Sequence, residues 1–85
     1  MTTFQYTVTD PNGLHARPAG LLVKAAAAFQ SAVTIQKGDK SADLKRLFAV
    51  MGLAVKQGDT VEVACDGPDE AACAQTLEDF FKQNF

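Results

Sequence analysis

Histidine and cysteine are scarce in this chain: its 85 residues include one histidine, His15, and two cysteines, Cys65 and Cys73. A solitary imidazole cannot build a histidine-based metal site. No acidic cluster or Ser/His/Asp set offers a rival catalytic centre, so neither a metal nor another cofactor is expected. The two cysteines are too far apart for a CxxC motif, and no histidine lies near them. They read as two small buried residues in a reducing compartment, with a metal or redox pair as the less favoured alternative. Positive charge is also short. Eight Lys and Arg against ten Asp and Glu leave a net charge of −2, whereas a general nucleic-acid binder would carry a strongly basic footprint. No apolar run approaches the roughly 20 residues that span a bilayer, so no membrane insertion is expected. The stretch Met1-Thr2-Thr3-Phe4-Gln5-Tyr6 lacks the basic and apolar regions of a signal peptide, which makes the cytoplasm the expected compartment. The phosphate-loop pattern G-x-x-x-x-G-K-S/T is missing, which excludes nucleotide binding by that route. With no repeat, low-complexity segment or linker, residues 1–85 read as one domain with one modest core.

What is present is a clear alternation of patterns. Thr2 to Thr9 places Phe4, Tyr6 and Val8 on one face and Thr3, Gln5, Thr7 and Thr9 on the other, the period-two signature of a half-buried strand. Asp10-Pro11-Asn12-Gly13 is a turn. From Ala16 to Phe29 the period becomes helical, with Pro18, Leu22, Ala25, Ala26 and Phe29 on one face. Pro18 is acceptable only in a first helical turn, where its missing N–H is not needed, and this fixes the helix start close to His15. Ala32–Gln36 reads as a strand with Val33 and Ile35 inward, followed by a hairpin turn over 37–40 and a short strand over 40–42. Leu44–Leu53 reads as a short helix with Leu44, Leu47, Val50 and Met51 on its apolar face; Phe48 falls off that face. Thr60–Cys65 is the last strand, with Val61, Val63 and Cys65 inward. Asp66-Gly67-Pro68-Asp69-Glu70 then reads as a helix start with Pro68 near its first position. Cys73, Ala74, Leu77, Phe80, Phe81 and Asn84 follow at core-facing spacing. The order β-α-β-β-α-β-α predicts an α+β, two-layer domain: one antiparallel sheet with helices on one face.

The single histidine therefore sits where a turn meets a helix N-terminus. First-turn N–H groups lack intrahelical partners and the helix dipole is positive there, so the position favours anions. The same field disfavours an imidazolium cation and favours the neutral ring that can attack phosphorus. Arg17 can add a charge-assisted bond to a transferred group. A phosphohistidine has a labile P–N bond and suits onward relay, a covalent division of one difficult transfer into two. From spacing alone, a surface or capping histidine is the competing interpretation.

Pro11-Asn12-Gly13-Leu14-His15-Ala16-Arg17-Pro18-Ala19 resembles the active-site motif of HPr, the histidine-containing phosphocarrier of the bacterial phosphoenolpyruvate-dependent sugar phosphotransferase system. The likeness extends through Leu44–Phe48, Met51–Leu53, the Gly58 turn and the last strand and helix. It implies an open-faced β-sandwich, four antiparallel strands covered on one side by three helices. It implies a carrier without turnover of its own: Enzyme I phosphorylates His15 at Nδ1, Arg17 and Ala16 in the same loop support the group, and IIA components of sugar permeases remove it. Asn12 either helps position the site or is a turn residue bonding its own backbone. The implied docking surface comprises Gly20, Leu47, Phe48 and Met51, ringed by Lys24 and Lys45, with core packing as the alternative for Leu47 and Met51. A monomer is expected. Arg46 stands where many relatives from low-GC Gram-positive bacteria carry a regulatory serine, so phosphorylation there is excluded, and Ser41 is out of position. Ala54 stands where glycine is frequent. Two readings compete with the carrier: a regulatory module whose His15 phosphorylation signals to a partner, and a generic α+β domain binding nucleic acid or metal.

Overall fold

A computed structural model describes residues Met1–Phe85. Its elements are β1 (Thr2–Thr7), α1 (Ala16–Ala27), β2 (Ala32–Lys37), β3 (Lys40–Asp43), α2 (Leu47–Gly52), β4 (Thr60–Asp66) and α3 (Glu70–Asn84). The strands form one antiparallel sheet in the order β1-β4-β2-β3. Pairing is set by the period-two pattern, since a one-residue slip would turn every apolar side chain to the wrong face. Val63 faces Phe4 on one side and Ile35 on the other, and Cys65 faces Thr2 and Val33. All three helices cover this apolar face. α3 packs on β1 and β4, α2 lies by β3, and α1 touches both other helices. The opposite face is a lawn of Thr, Gln and Glu side chains, among them a Thr7–Thr60 hydroxyl pair at 2.8 Å. The result is the expected open-faced α+β sandwich.

Phe81 of α3 is fully buried and lies at the centre of the aromatic packing, with ring centroids 5.9 Å from Phe4, 5.5 Å from Tyr6 and 5.3 Å from Phe85. Leu22, Ile35, Leu44, Val50, Val63 and Leu77 complete the core. Cys65 and Cys73 are free and buried there. Burial pushes the Cys65 thiol up to about 12 and raises that of Cys73 as well, so neither is poised as a thiolate.

Four element boundaries differ from the sequence reading by two residues or more, each for a local reason. β1 stops at Thr7 because Val8 donates to Asp59 O at 2.9 Å and accepts from Gly58 N at 2.8 Å, closing onto the 56–59 turn instead of the β4 ladder. α1 stops at Ala27, and the amides of Ala28 and Phe29 bond three residues back at 3.3 and 3.2 Å. α2 begins at Leu47, not Leu44. Asp43 Oδ1 accepts Lys45 N at 2.9 Å and Asp43 O accepts Arg46 N at 3.0 Å, a side-chain-stabilised turn that competes with helix. Leu44 is buried all the same, held by its amide bond to Val33 O at 2.9 Å. α3 begins at Glu70, leaving Pro68 outside the helix. Asp69 is its N-cap residue, but its carboxylate reaches away to the amides of Gln30 and Ser31, both at 2.9 Å, and to the Ser31 hydroxyl.

Candidate functional site

The loop before α1 is fixed from three sides. Gly13 adopts φ +64°, and a Cβ there would fall 2.8 Å from Lys56 Cα and closer still to Val55 O, so only glycine fits. Leu14 is buried and donates to Val55 O at 3.1 Å. The amides of Thr9 and Asp10 donate to Phe85 O at 2.7 and 2.9 Å. Asp10 Oδ1 accepts Asn12 N at 2.8 Å, and Asp10 O accepts Gly13 N at 2.9 Å. The turn thus delivers His15 to a defined place.

His15 is the N-cap residue of α1, with extended backbone (φ −84°, ψ 166°) and no side-chain capping bond. Its carbonyl accepts the first helical bond, from Ala19 N at 3.0 Å. Its ring makes no hydrogen bond and its side chain is 38% exposed. The ring edge meets Phe85, centroids 6.4 Å apart. Nε2 lies 3.6 Å from Asp10 Oδ2. Ala16 and Arg17 follow at the first two helical positions, and their N–H groups have no backbone acceptor. Pro18, the third, is buried and has no N–H to satisfy. Arg17 is exposed, and its guanidinium is in no ion pair or side-chain hydrogen bond. An uncommitted imidazole, two open amides and an uncommitted guanidinium thus share the positive end of one helix. That arrangement can receive a tetrahedral anion on the ring and bond its oxygens. It is an open surface: both surface concavities lie elsewhere, one over the exposed face of the sheet and one between β2, β3 and Lys45.

The remaining sequence candidates fall into three groups. Asn12 is exposed and its amide is held by Asp10, while its own side chain makes no hydrogen bond. Phe48 is 90% exposed on α2, while Leu47 and Met51 of the same helix are half-buried against the core. Gly20 is half-buried on α1 with open space where a side chain would stand, and Lys24 is exposed. Lys45 is tied down, its Nζ donating to Phe29 O at 2.8 Å beyond the end of α1. Arg46 is the N-cap residue of α2, caps nothing, and approaches Asp43 Oδ2 at 3.8 Å.

Three neighbours escaped the sequence reading. Leu21 is 54% exposed on α1, facing away from the Leu22 stripe that periodicity picked out. Phe85 is buried, and its carbonyl and ring both serve the loop, a role no periodic pattern signals. Asp10 was legible as a turn residue, but its second carboxylate oxygen facing His15 was not.

A family model described as the PTS HPr component phosphorylation site matches residues 2–83. A phosphocarrier protein HPr of Lysinibacillus sphaericus is 46% identical over 77 residues, covering 91% of this chain and 88% of the relative. The solved structure of a Mycoplasma histidine-containing phosphocarrier protein superposes with a TM-score of 0.94 at 35% identity, covering 96% of this chain and 93% of that one. An HPr dimer from Thermoanaerobacter tengcongensis superposes with a TM-score of 0.78 at 32% identity, covering 98% and 95%.

Proposed function

The chain belongs to the PTS HPr family of phosphocarriers, and on that footing we propose that it relays a phosphoryl group from Enzyme I to IIA components of sugar permeases through His15. The single observation that carries this reading is the uncommitted imidazole at the start of α1, beside two open amides and the free Arg17 guanidinium. The neutral ring attacks phosphorus through the Nδ1 lone pair. The Nδ1–P bond forms as the bond to the donor breaks, and the electron pair leaves with the donor group. The amides of Ala16 and Arg17 and the Arg17 side chain bond the phosphoryl oxygens. An acceptor nucleophile then takes the group, and the pair returns to Nδ1. The protein is a carrier, restored at the end of each pass, and adds no turnover of its own.

Partners dock beside the ring. Phe48 is a large aromatic with almost no internal contact, the type of side chain that anchors an interface. Gly20 permits close approach, Leu47 and Met51 offer their exposed edges, and Lys24, with the Lys45 ammonium anchored on Phe29 O, supplies a basic rim that steers acidic partners. Asn12 shapes the loop through its backbone. The protein acts as a cytoplasmic monomer of one domain. No helix is long and apolar enough to cross a membrane.

The test is incubation with phosphoenolpyruvate and Enzyme I. One acid-labile phosphoryl group is expected, and His15→Ala abolishes it. A IIA protein then removes the label. Labelling that survives in the variant overturns the assignment. Labelling that no IIA protein discharges supports the regulatory module instead.

A further inference from the structure

Asp10 divides its carboxylate between two tasks. Oδ1 accepts Asn12 N at 2.8 Å and closes the turn. Oδ2 faces His15 Nε2 at 3.6 Å. The pair is half-exposed, with side-chain exposures of 26% for Asp10 and 38% for His15. We propose that Asp10 is a positioning residue for phosphoryl transfer, holding the Nε2–H tautomer of His15 so that Nδ1 presents its lone pair.

The argument rests on His15 being the phosphoryl acceptor and adds to that assignment what selects the reacting nitrogen. In a neutral imidazole one nitrogen carries the proton and the other the lone pair, and a charge facing one nitrogen biases the state of the other; at 3.6 Å Asp10 Oδ2 acts on Nε2 through its charge, beyond hydrogen-bond length. A carboxylate accepts only, so a ring nitrogen turned to it is favoured as N–H. Nε2 is the nitrogen turned to Asp10, which leaves Nδ1 unprotonated. His15 lies at the N-cap of α1, and the open amides of Ala16 and Arg17 belong to the same turn. The carboxylate also acts later in the cycle. Once Nδ1 carries phosphorus, the proton on Nε2 makes the ring a better leaving group, because the electron pair returns to a cationic ring and leaves neutral imidazole rather than anionic imidazolate. Asp10 stabilises that proton on Nε2. The Nδ1–P bond breaks, the acceptor–P bond forms, and Nε2 keeps its proton. Phe85 supports the geometry: its carbonyl accepts the amides of Thr9 and Asp10 and its ring meets the imidazole edge, so the Asp10 backbone and the His15 ring share one support.

The two oxygens allow the two tasks to be separated. Asp10→Asn keeps an Oδ1 acceptor for Asn12 N and so keeps the turn, but replaces the charged oxygen by an amide. Asp10→Ala removes both, and Asp10→Glu restores the charge without the short turn geometry. Nitrogen-15 shifts of the His15 ring, recorded at a pH where the ring is neutral, are expected to show the Nε2–H tautomer in the parent and a detectable Nδ1–H population in Asp10→Asn. Phosphoryl acceptance from Enzyme I falls about two- to fivefold in the same variant, the range of a half-exposed charge pair. Asp10→Glu recovers part of that loss, while Asp10→Asn and the parent melt alike. An unchanged tautomer population and an unchanged rate in Asp10→Asn overturn the proposal and reduce Asp10 to a turn residue. Failure of the parent itself to accept the group contradicts the carrier assignment instead, so the two outcomes are distinct.

Discussion

Arg17 is exposed yet makes no ion pair, a state that leaves a guanidinium available to a bound anion. In the proposed relay it bonds the phosphoryl group with charge assistance, and loss of such a bond costs about 1.5–3 kcal/mol. Arg17→Ala is therefore expected to slow transfer about ten- to hundredfold while leaving the melting temperature unchanged, which stopped-flow phosphorylation and thermal denaturation check together. Arg17→Lys recovers only part, since an ammonium lacks the planar fork. At this scale the places of His15 and Arg17 at the start of α1, and of Gly13 in the turn, were legible. Each has a local signature: a lone imidazole, a cation two residues on, a glycine in a turn. What could not be read was proximity between residues that serve two functions. Asp10 already had a sufficient explanation as a turn former, and Phe85 reaches the loop only because α3 returns to it.

At the scale of elements, the short helix α2 carries both a backbone weakness at its end and the proposed docking anchor. Ala54 follows the helix C-cap at φ +52°, the left-handed region where a Cβ is unfavourable. Ala54→Gly is expected to stabilise the protein by about 0.5–1 kcal/mol, the left-handed penalty less the extra freedom glycine gives the unfolded chain. For a chain of this size that is a rise in Tm of about 2–8 °C by calorimetry. The sequence marked Ala54 only as a departure from frequent glycine; the backbone angle supplies the physical meaning. On the same helix Phe48 has its ring in solvent. Phe48→Ala is expected to raise the KM for Enzyme I about tenfold or more, as anchors do, with kcat and Tm little changed. A fall in Tm with unchanged KM would place Phe48 in the packing instead. Periodicity had separated Phe48 from its neighbours correctly, because an apolar residue off a helical stripe has nowhere internal to go. The start of α2 was misplaced because Leu44 is buried and lies in register with the helical stripe, so burial mimicked helix. Only the Asp43 turn bonds distinguish the two.

Across the whole molecule, β1, β2 and β4 and their inward residues followed from alternation, β3 from the hairpin turn before it, and the layered fold from the element order. The ties between distant segments did not, because they use polar residues without a period. Asp69 holds the start of β2 by accepting Ser31 and Gln30, and Glu70 holds Thr2 and the amino terminus. Hydrogen bonding lowers both carboxyls, first from the Ser31 hydroxyl for Asp69 and from Thr2 for Glu70. Asp59, bonded by the Lys56 amide and Lys37, is lowered as well. Folded values below the unfolded ones mean the unfolded chain binds more protons in acid. This stabilisation is complete above the usual carboxylate range and is lost as pH falls through the folded values. Urea midpoints are expected to hold between about pH 7 and about pH 5 and to decline below about pH 4. Asp69→Ala lowers the neutral midpoint and flattens that decline. An acid profile identical in slope to the parent's would show that Asp69 contributes nothing to it.

These ties and the sheet hold the hydrogen-bonded loop that presents the His15 ring on an open surface. The most direct measurement is phosphopeptide mapping, under alkaline conditions that preserve P–N bonds, of the protein treated with phosphoenolpyruvate and Enzyme I. One phosphoryl group on His15, attached through Nδ1 by its phosphorus–nitrogen coupling and lost on addition of a IIA protein, is the predicted result. A group on any other residue, or an unlabelled protein in the presence of active Enzyme I, would contradict it.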